Sequence, residues 1–289
     1  MSADVVDLRD FYATPLGRTA REAIRGRLRE IWPDLSGLRL AGIGYAPPYL
    51  RGFAGEAERV MALMPAGQGV MRWPPEGANV AALVDEAALP LPDASVDRIL
   101  VVHALEHAEQ LRPLLREVWR VLAGPGRAVF VVPNRRGIWA RVDSTPFGHG
   151  QPYSAGQLSR LLRDNLFTPT VRAPALFAPP FSSRPLLSSA RAWERAGRRW
   201  FERFAGVVLV EASKTLYVPG AARRRPLLAP SRPARAGAWG RAAPAGGRGG
   251  GALRATMVGL TWSRTTSSVM TTLSPSTRLG PSNKTVRST

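Results

Sequence analysis

Two apolar runs frame the most constraining stretch of this chain. Val96 to Val102 reads VDRILVV, and Arg127 to Val132 reads RAVFVV. Each is short and bounded by turn residues, which predicts strands, and the second is almost unbroken. Between them Leu111, Leu114, Leu115, Val118 and Leu122 recur at helical spacing, and Gly124-Pro125-Gly126 breaks that helix. Strand, helix and strand in this order predict a mostly parallel sheet covered by helices on both faces. Such a sheet binds ligands beyond the carboxyl ends of its strands. Function is therefore expected in the loops after Ala41, Val84, Val102 and Val132.

The flanking sequence extends the pattern. Thr14-Pro15 opens a first helix, with Leu16, Ala20, Ile24, Leu28 and Ile31 on one face and Pro33 as its stop. Leu38 to Ala41 predicts a short buried strand, and Gly42 to Pro48 its loop. Arg59 to Leu63 either begins a second strand or ends a weak helix from Glu56. Gly69 to Trp73 predicts a strand ended by Pro74-Pro75, and Asn79 to Val84 another short element. Ser154 to Gln157 has capping-box form and starts a helix through Leu158, Leu161, Leu162 and Leu166. A proline-rich loop runs from Pro174 to Pro185. Ser189 to Phe204 predicts a helix with Trp193 and Trp200 facing inwards, and Gly206 to Val218 a strand. Trp73 and Trp119 are expected in the core.

Charge divides the chain. Of the formal net +19, only +7 falls before residue 221, because residues 221–289 hold twelve Lys or Arg and no Asp or Glu. That last segment shows neither the helical nor the strand period and predicts a disordered basic tail behind a domain of residues 1–220. Its abrupt arginine-, glycine- and proline-rich composition is also what a shifted reading frame in a GC-rich gene would yield. The absence of cysteine excludes disulfides and thiolate metal sites. With only His103, His107 and His149 as histidines, no metal centre is expected. The N-terminus carries Asp4, Asp7 and Asp10 and no apolar signal segment, and no apolar run is long enough to span a membrane, so a cytoplasmic protein with no membrane partner is expected.

Asp85-Glu86 precedes LPLPDASVDRILVVHALEH, followed by LLREVWRVLAGPGRAVFVVPN. Together these closely resemble class I S-adenosylmethionine-dependent methyltransferases, in the small-molecule (type 11-like) branch. The shared features are an acid before Leu89-Pro90, a turn through Asp93 to Asp97 into the fourth strand, and Arg120-Val121-Leu122 before a glycine turn and the fifth. The resemblance implies an α/β fold with a doubly wound, mostly parallel seven-stranded sheet, the seventh strand, from Val207 to Tyr217, running antiparallel. It implies S-adenosylmethionine as cofactor and a small molecule as methyl acceptor. Gly42 and Gly44 would lie against the amino-acid part of the cofactor, and Asp85 and Glu86 near its adenine. His103 would face the methyl group, as cofactor contact and candidate catalytic base, with His149 a second candidate base. Asn134, Arg135 and Tyr153 would lie on the substrate side, and Arg135-Arg136 reads equally as a solvated turn.

Two departures stand out. Ala46 replaces the third glycine of the family's turn. The family's second strand ends in an acid that grips the ribose, and here the expected end is Leu63-Met64-Pro65-Ala66. A non-catalytic protein on this fold, binding cofactor or a partner, is therefore the rival reading. A third, nucleic-acid binding through the arginine-rich tail, has no supporting aromatic-rich basic motif, and no specific nucleic-acid partner is expected.

Overall fold

The computed structural model describes residues 4–215. Its framework is a seven-stranded sheet in the order β3-β2-β1-β4-β5-β7-β6. The strands are β1 Arg39–Gly44, β2 Arg59–Pro65, β3 Ala81–Val84, β4 Val96–Val102, β5 Leu122–Pro133, β6 Phe167–Ala175 and β7 Val207–Lys214. β7 alone runs antiparallel to its neighbours β5 and β6. The doubly wound, mostly parallel sheet expected from the sequence is therefore the fold.

The helices are α1 Val5–Ala13, α2 Pro15–Ile31, α3 Pro47–Leu50, α4 Leu111–Val121, α5 Ala155–Asp164, α6 Arg184–Ser188 and α7 Ala190–Trp200. Strand alternation sorts the core into two layers. Leu40, Leu100, Val102, Val129 and Val131 point to one face and meet Leu8 and Tyr12 of α1 and Ile24 and Leu28 of α2. Ala41, Ile43, Ile99, Val101 and Phe130 point to the other and meet Leu114, Leu115 and Val118 of α4 and Leu158 and Leu162 of α5. The Ser154 hydroxyl accepts from Gln157 N–H while the Gln157 side chain accepts from Ser154 N–H, so the capping box forms as read.

Several local expectations are corrected. Thr14-Pro15 opens α2, but α1 precedes it, capped by the Asp4 side chain and burying Val5, Leu8 and Tyr12. Gly69 to Trp73 is not a strand. Gly69 has a φ of +84° and bonds back to Ala66, which turns the chain before a ladder can begin. β6 was not foreseen. It is the sheet edge, where Pro169 and Pro174 are tolerated because one side needs no ladder donors. Trp73 is buried, whereas Trp119 is only partly so and donates its indole N–H to the Leu166 carbonyl. Trp193 and Trp200 do not face inwards: they are 41% and 69% exposed, because Ala190 and Gly197 form the buried side of α7. The basic segment 221–289, read as disordered, lies outside the described residues.

Candidate functional site

The carboxyl edge of the sheet carries Gly44, Pro65, Val84, Val102 and Pro133 at its strand ends. Gly44 has a φ of +80°, and a side chain there would collide with the Val102 carbonyl oxygen and Ala104. A side chain at Gly42 would collide with Ala46 and Leu50. Both glycines are thus required by the chain's own packing. The loop N–H groups are also committed: Tyr45 donates to Val102 and Ala46 to Gly44. Pro47 and Pro48 at the start of α3 have no N–H to offer.

Beyond Gly44 and Val102 the space is filled from within. Tyr12 of α1 is 4% exposed, and its hydroxyl bonds Tyr49 Oη and His103 Nε2, both at 2.8 Å. The His103 Nδ1 lies 3.1 Å from Glu106 Oε1, and its carbonyl accepts from the Gln68 amide. The Phe147 ring closes the other side of His103 at 5.0 Å between centroids. His103, a non-glycine residue, holds a φ of +52°, a strained backbone of the kind that persists where surrounding contacts over-determine it. Burial raises the Tyr12 and Tyr49 hydroxyls well above the usual phenol range and pushes Tyr45 up to about 12, so all three stay protonated donors at neutral pH.

Beside this closed cluster lies a cavity of about 220 Å3. Ala66 to Gln68 after β2, Asp85 and Glu86 after β3, and Ala104 and His107 after β4 line it. Asp85 accepts from Ala87 N–H and Glu86 from Gln110 N–H, fixing both carboxylates at the rim. His107 also lines this cavity. Burial lowers its pKa despite the opposing charge of Glu106, so it is a neutral imidazole at pH 7. Glu106 Oε2 and His107 Nε2 are buried without a hydrogen-bond partner. His103, Glu106 and His107 also bring ligand-type atoms within 4.8 Å of one another, among the described residues the one group able to hold a metal ion.

The expected substrate-side residues split. Asn134 is buried; its amide donates to the Arg203 and Ala205 carbonyls, tying β5 to the β6–β7 connection. Arg135 N–H donates to the Tyr153 carbonyl, which joins the two positions through backbone. Tyr153 is half-buried, its hydroxyl raised by desolvation. Asn134, Arg136, Arg172 and Arg203 contribute to a second cavity of about 430 Å3, apart from Asp85 and Glu86. His149 is exposed. Tyr12 and Gln68 were missed in the sequence. The helical spacing of Val5, Leu8 and Tyr12 could have revealed α1 but not where Tyr12 ends.

Residues 41–130 match the family model of a methyltransferase domain. No curated protein matches the chain. Among solved structures, a S-adenosylmethionine-dependent methyltransferase of Thermotoga maritima is 14% identical, with 73% of this chain and 95% of that one covered at a TM-score of 0.51. A S-adenosylmethionine-dependent methyltransferase of Mesorhizobium loti is 18% identical over 65% of this chain and 96% of its own, at a TM-score of 0.48. The residues fit this family's cofactor in part. The cavity at Asp85 and Glu86 offers carboxylates and a neutral imidazole to an adenine. The glycine turn is covered by Tyr12, and the position after β2 holds Gln68, turned into the His103 carbonyl, in place of a ribose-binding acid. Residues 41–130 thus match a methyltransferase domain, and the seven-stranded sheet that holds them has the fold of the S-adenosylmethionine-dependent methyltransferase of Thermotoga maritima.

Proposed function

We propose that the chain methylates a small molecule, and that Asp85, Glu86 and His107 hold the adenine end of the cofactor while α1 covers the other. The cavity at the ends of β2, β3 and β4 is the observation that carries this reading. The cofactor supplies an activated methyl group; the protein's part is to orient the acceptor, exclude water and remove a proton where the acceptor carries one. Tyr12 and Phe147 keep water from His103. When Tyr12 withdraws, His103 Nε2 is freed to take that proton, and Glu106 on Nδ1 keeps the ring oriented. Gly42 and Gly44 then lie under the amino-acid arm. Asn134, Arg135 and Tyr153 stand on the acceptor side.

Isothermal titration with S-adenosylhomocysteine tests this reading. Binding is expected, weakened about tenfold by Asp85→Ala through loss of a charged hydrogen-bond acceptor. Absence of heat and of a thermal shift at millimolar ligand would refute it. The rival, a non-catalytic protein on this fold, is favoured by one observation: Tyr12, Pro47-Pro48 and Gln68 close the glycine-turn half of the site. Tighter binding by Tyr12→Phe than by the parent, with no methyl transfer to any acceptor pool by either, would favour it.

A further inference from the structure

The β6–β7 connection leaves the carboxyl edge at Ala175 and returns to it at Val207. Every strongly exposed Phe or Trp among the described residues falls within it: Phe181, Trp193, Trp200, Phe201 and Phe204. Phe201 and Phe204 are 53% and 60% exposed. Trp193 and Trp200 stand two turns apart on one face of α7, and the two phenylalanines follow in the next turn. Their exposure is not slack packing. Gly197 is seated on the Phe177 ring, where a Cβ would collide. The Glu194 carboxylate accepts the N–H groups of Leu176, Phe177 and Ala178, and Arg198 pairs with Glu30 of α2. α7 is pinned by its inner side with the aromatic face turned out.

Arg199 lies over the Trp200 ring, and Arg203 falls between Phe201 and Phe204 in the chain. Arg191, Arg195, Arg199 and Arg203 are exposed and have no ion-pair partner among the described residues. Exposed Trp and Phe on one face, with arginines beside them, is the composition of a helix that lies in a membrane interface. We propose that α7 and the turn after it form a docking surface for an anionic lipid bilayer. This contact is peripheral, for no helix of the described residues is long and apolar enough to cross a membrane. Charge argues against the other occupants. Residues 221–289 are uniformly basic and cannot complement arginines, and β7 delivers the chain to the opposite edge of the sheet at Lys214. A second copy docking by the same face would set arginine against arginine.

The test is co-sedimentation of the full chain with phosphatidylglycerol vesicles and with pure phosphatidylcholine vesicles, read alongside tryptophan emission. Binding to the anionic vesicles is expected, with a blue-shifted emission that persists at about 0.5 M salt, where interactions of surface charge alone are screened. The Trp193→Ser, Trp200→Ser, Phe204→Ser triple variant should bind on the order of tenfold more weakly while melting as the parent does, since these side chains are exposed. Arg199→Glu with Arg203→Glu should weaken binding while leaving every aromatic in place. Three results overturn the proposal: no vesicle binding by the parent, equal binding by parent and triple variant (which assigns it to the basic tail), or aromatic-dependent binding of a single-stranded oligonucleotide without vesicle binding.

Discussion

Replacing Tyr12 by Phe removes one oxygen and leaves the ring in its packing place against Tyr45, Tyr49 and His103. That oxygen is the shared partner of Tyr49 Oη and His103 Nε2, at 2.8 Å each in a fully buried setting. Stranding buried polar groups in this way costs roughly 1–3 kcal/mol, and about 2 kcal/mol is a fair central figure. For a domain of this size that lowers Tm by about 4–8 °C. The same loss falls on the closed arrangement of α1 relative to any arrangement in which Tyr12 has withdrawn and water serves the freed groups. If cofactor binding requires the withdrawn state, its share rises by about thirty-fold for 2 kcal/mol, and apparent affinity rises with it until that state dominates. Stability and affinity should therefore move in opposite directions. Differential scanning calorimetry reads the first, and titration with S-adenosylhomocysteine the second. A variant that melts lower with unchanged or weaker binding would refute the idea that Tyr12 closes the site against the cofactor.

Other expectations rest on single contacts. Gly44→Ala should destabilise the fold by about 2–4 kcal/mol, from a positive φ and a collision with Val102, and so reduce soluble yield even without ligand. Glu211, 2% exposed, accepts from Trp32, Arg127 and Thr170, so Glu211→Ala should cost about 3–5 kcal/mol by urea unfolding, with Glu211→Gln costing less. Hydrogen bonding from Arg39 lowers the Asp97 pKa in the folded state; its contribution is therefore present above about pH 4 and lost as pH falls through the lowered value, and Arg39→Ala should remove that part of the acid loss. A chain ending at Gly220 keeps every described strand and should melt within roughly 3 °C of the parent.

β4, β5, α4 and the cap of α5 were legible because each carries its burial in a local period. Val96 to Val102 reads as a central strand because neighbours on both sides and layers on both faces demand apolar side chains. β6 was not legible for the complementary reason. As an edge strand it needs little apolar content, and its Thr, Pro and Arg residues resemble a loop. Trp193 and Trp200 were misplaced because large apolar residues normally mark the inner face of a helix; small residues, Ala190 and Gly197, took that role.

The sequence by itself determined the sheet class, the covering helices α2, α4 and α5, and the family resemblance between Asp85 and Asn134, since periodicity, caps and turns act over a few residues. Only the tertiary structure decided the state of the site. Tyr12 and His103 are 91 positions apart, and neither carries a local mark of the other. Their meeting depends on how α1 packs over the ends of β1 and β4. That packing buries His103 and leaves His107 as the imidazole that lines the cavity. Local propensity records which residues are buried; which buried residues touch is settled by the joint packing of elements distant in the chain.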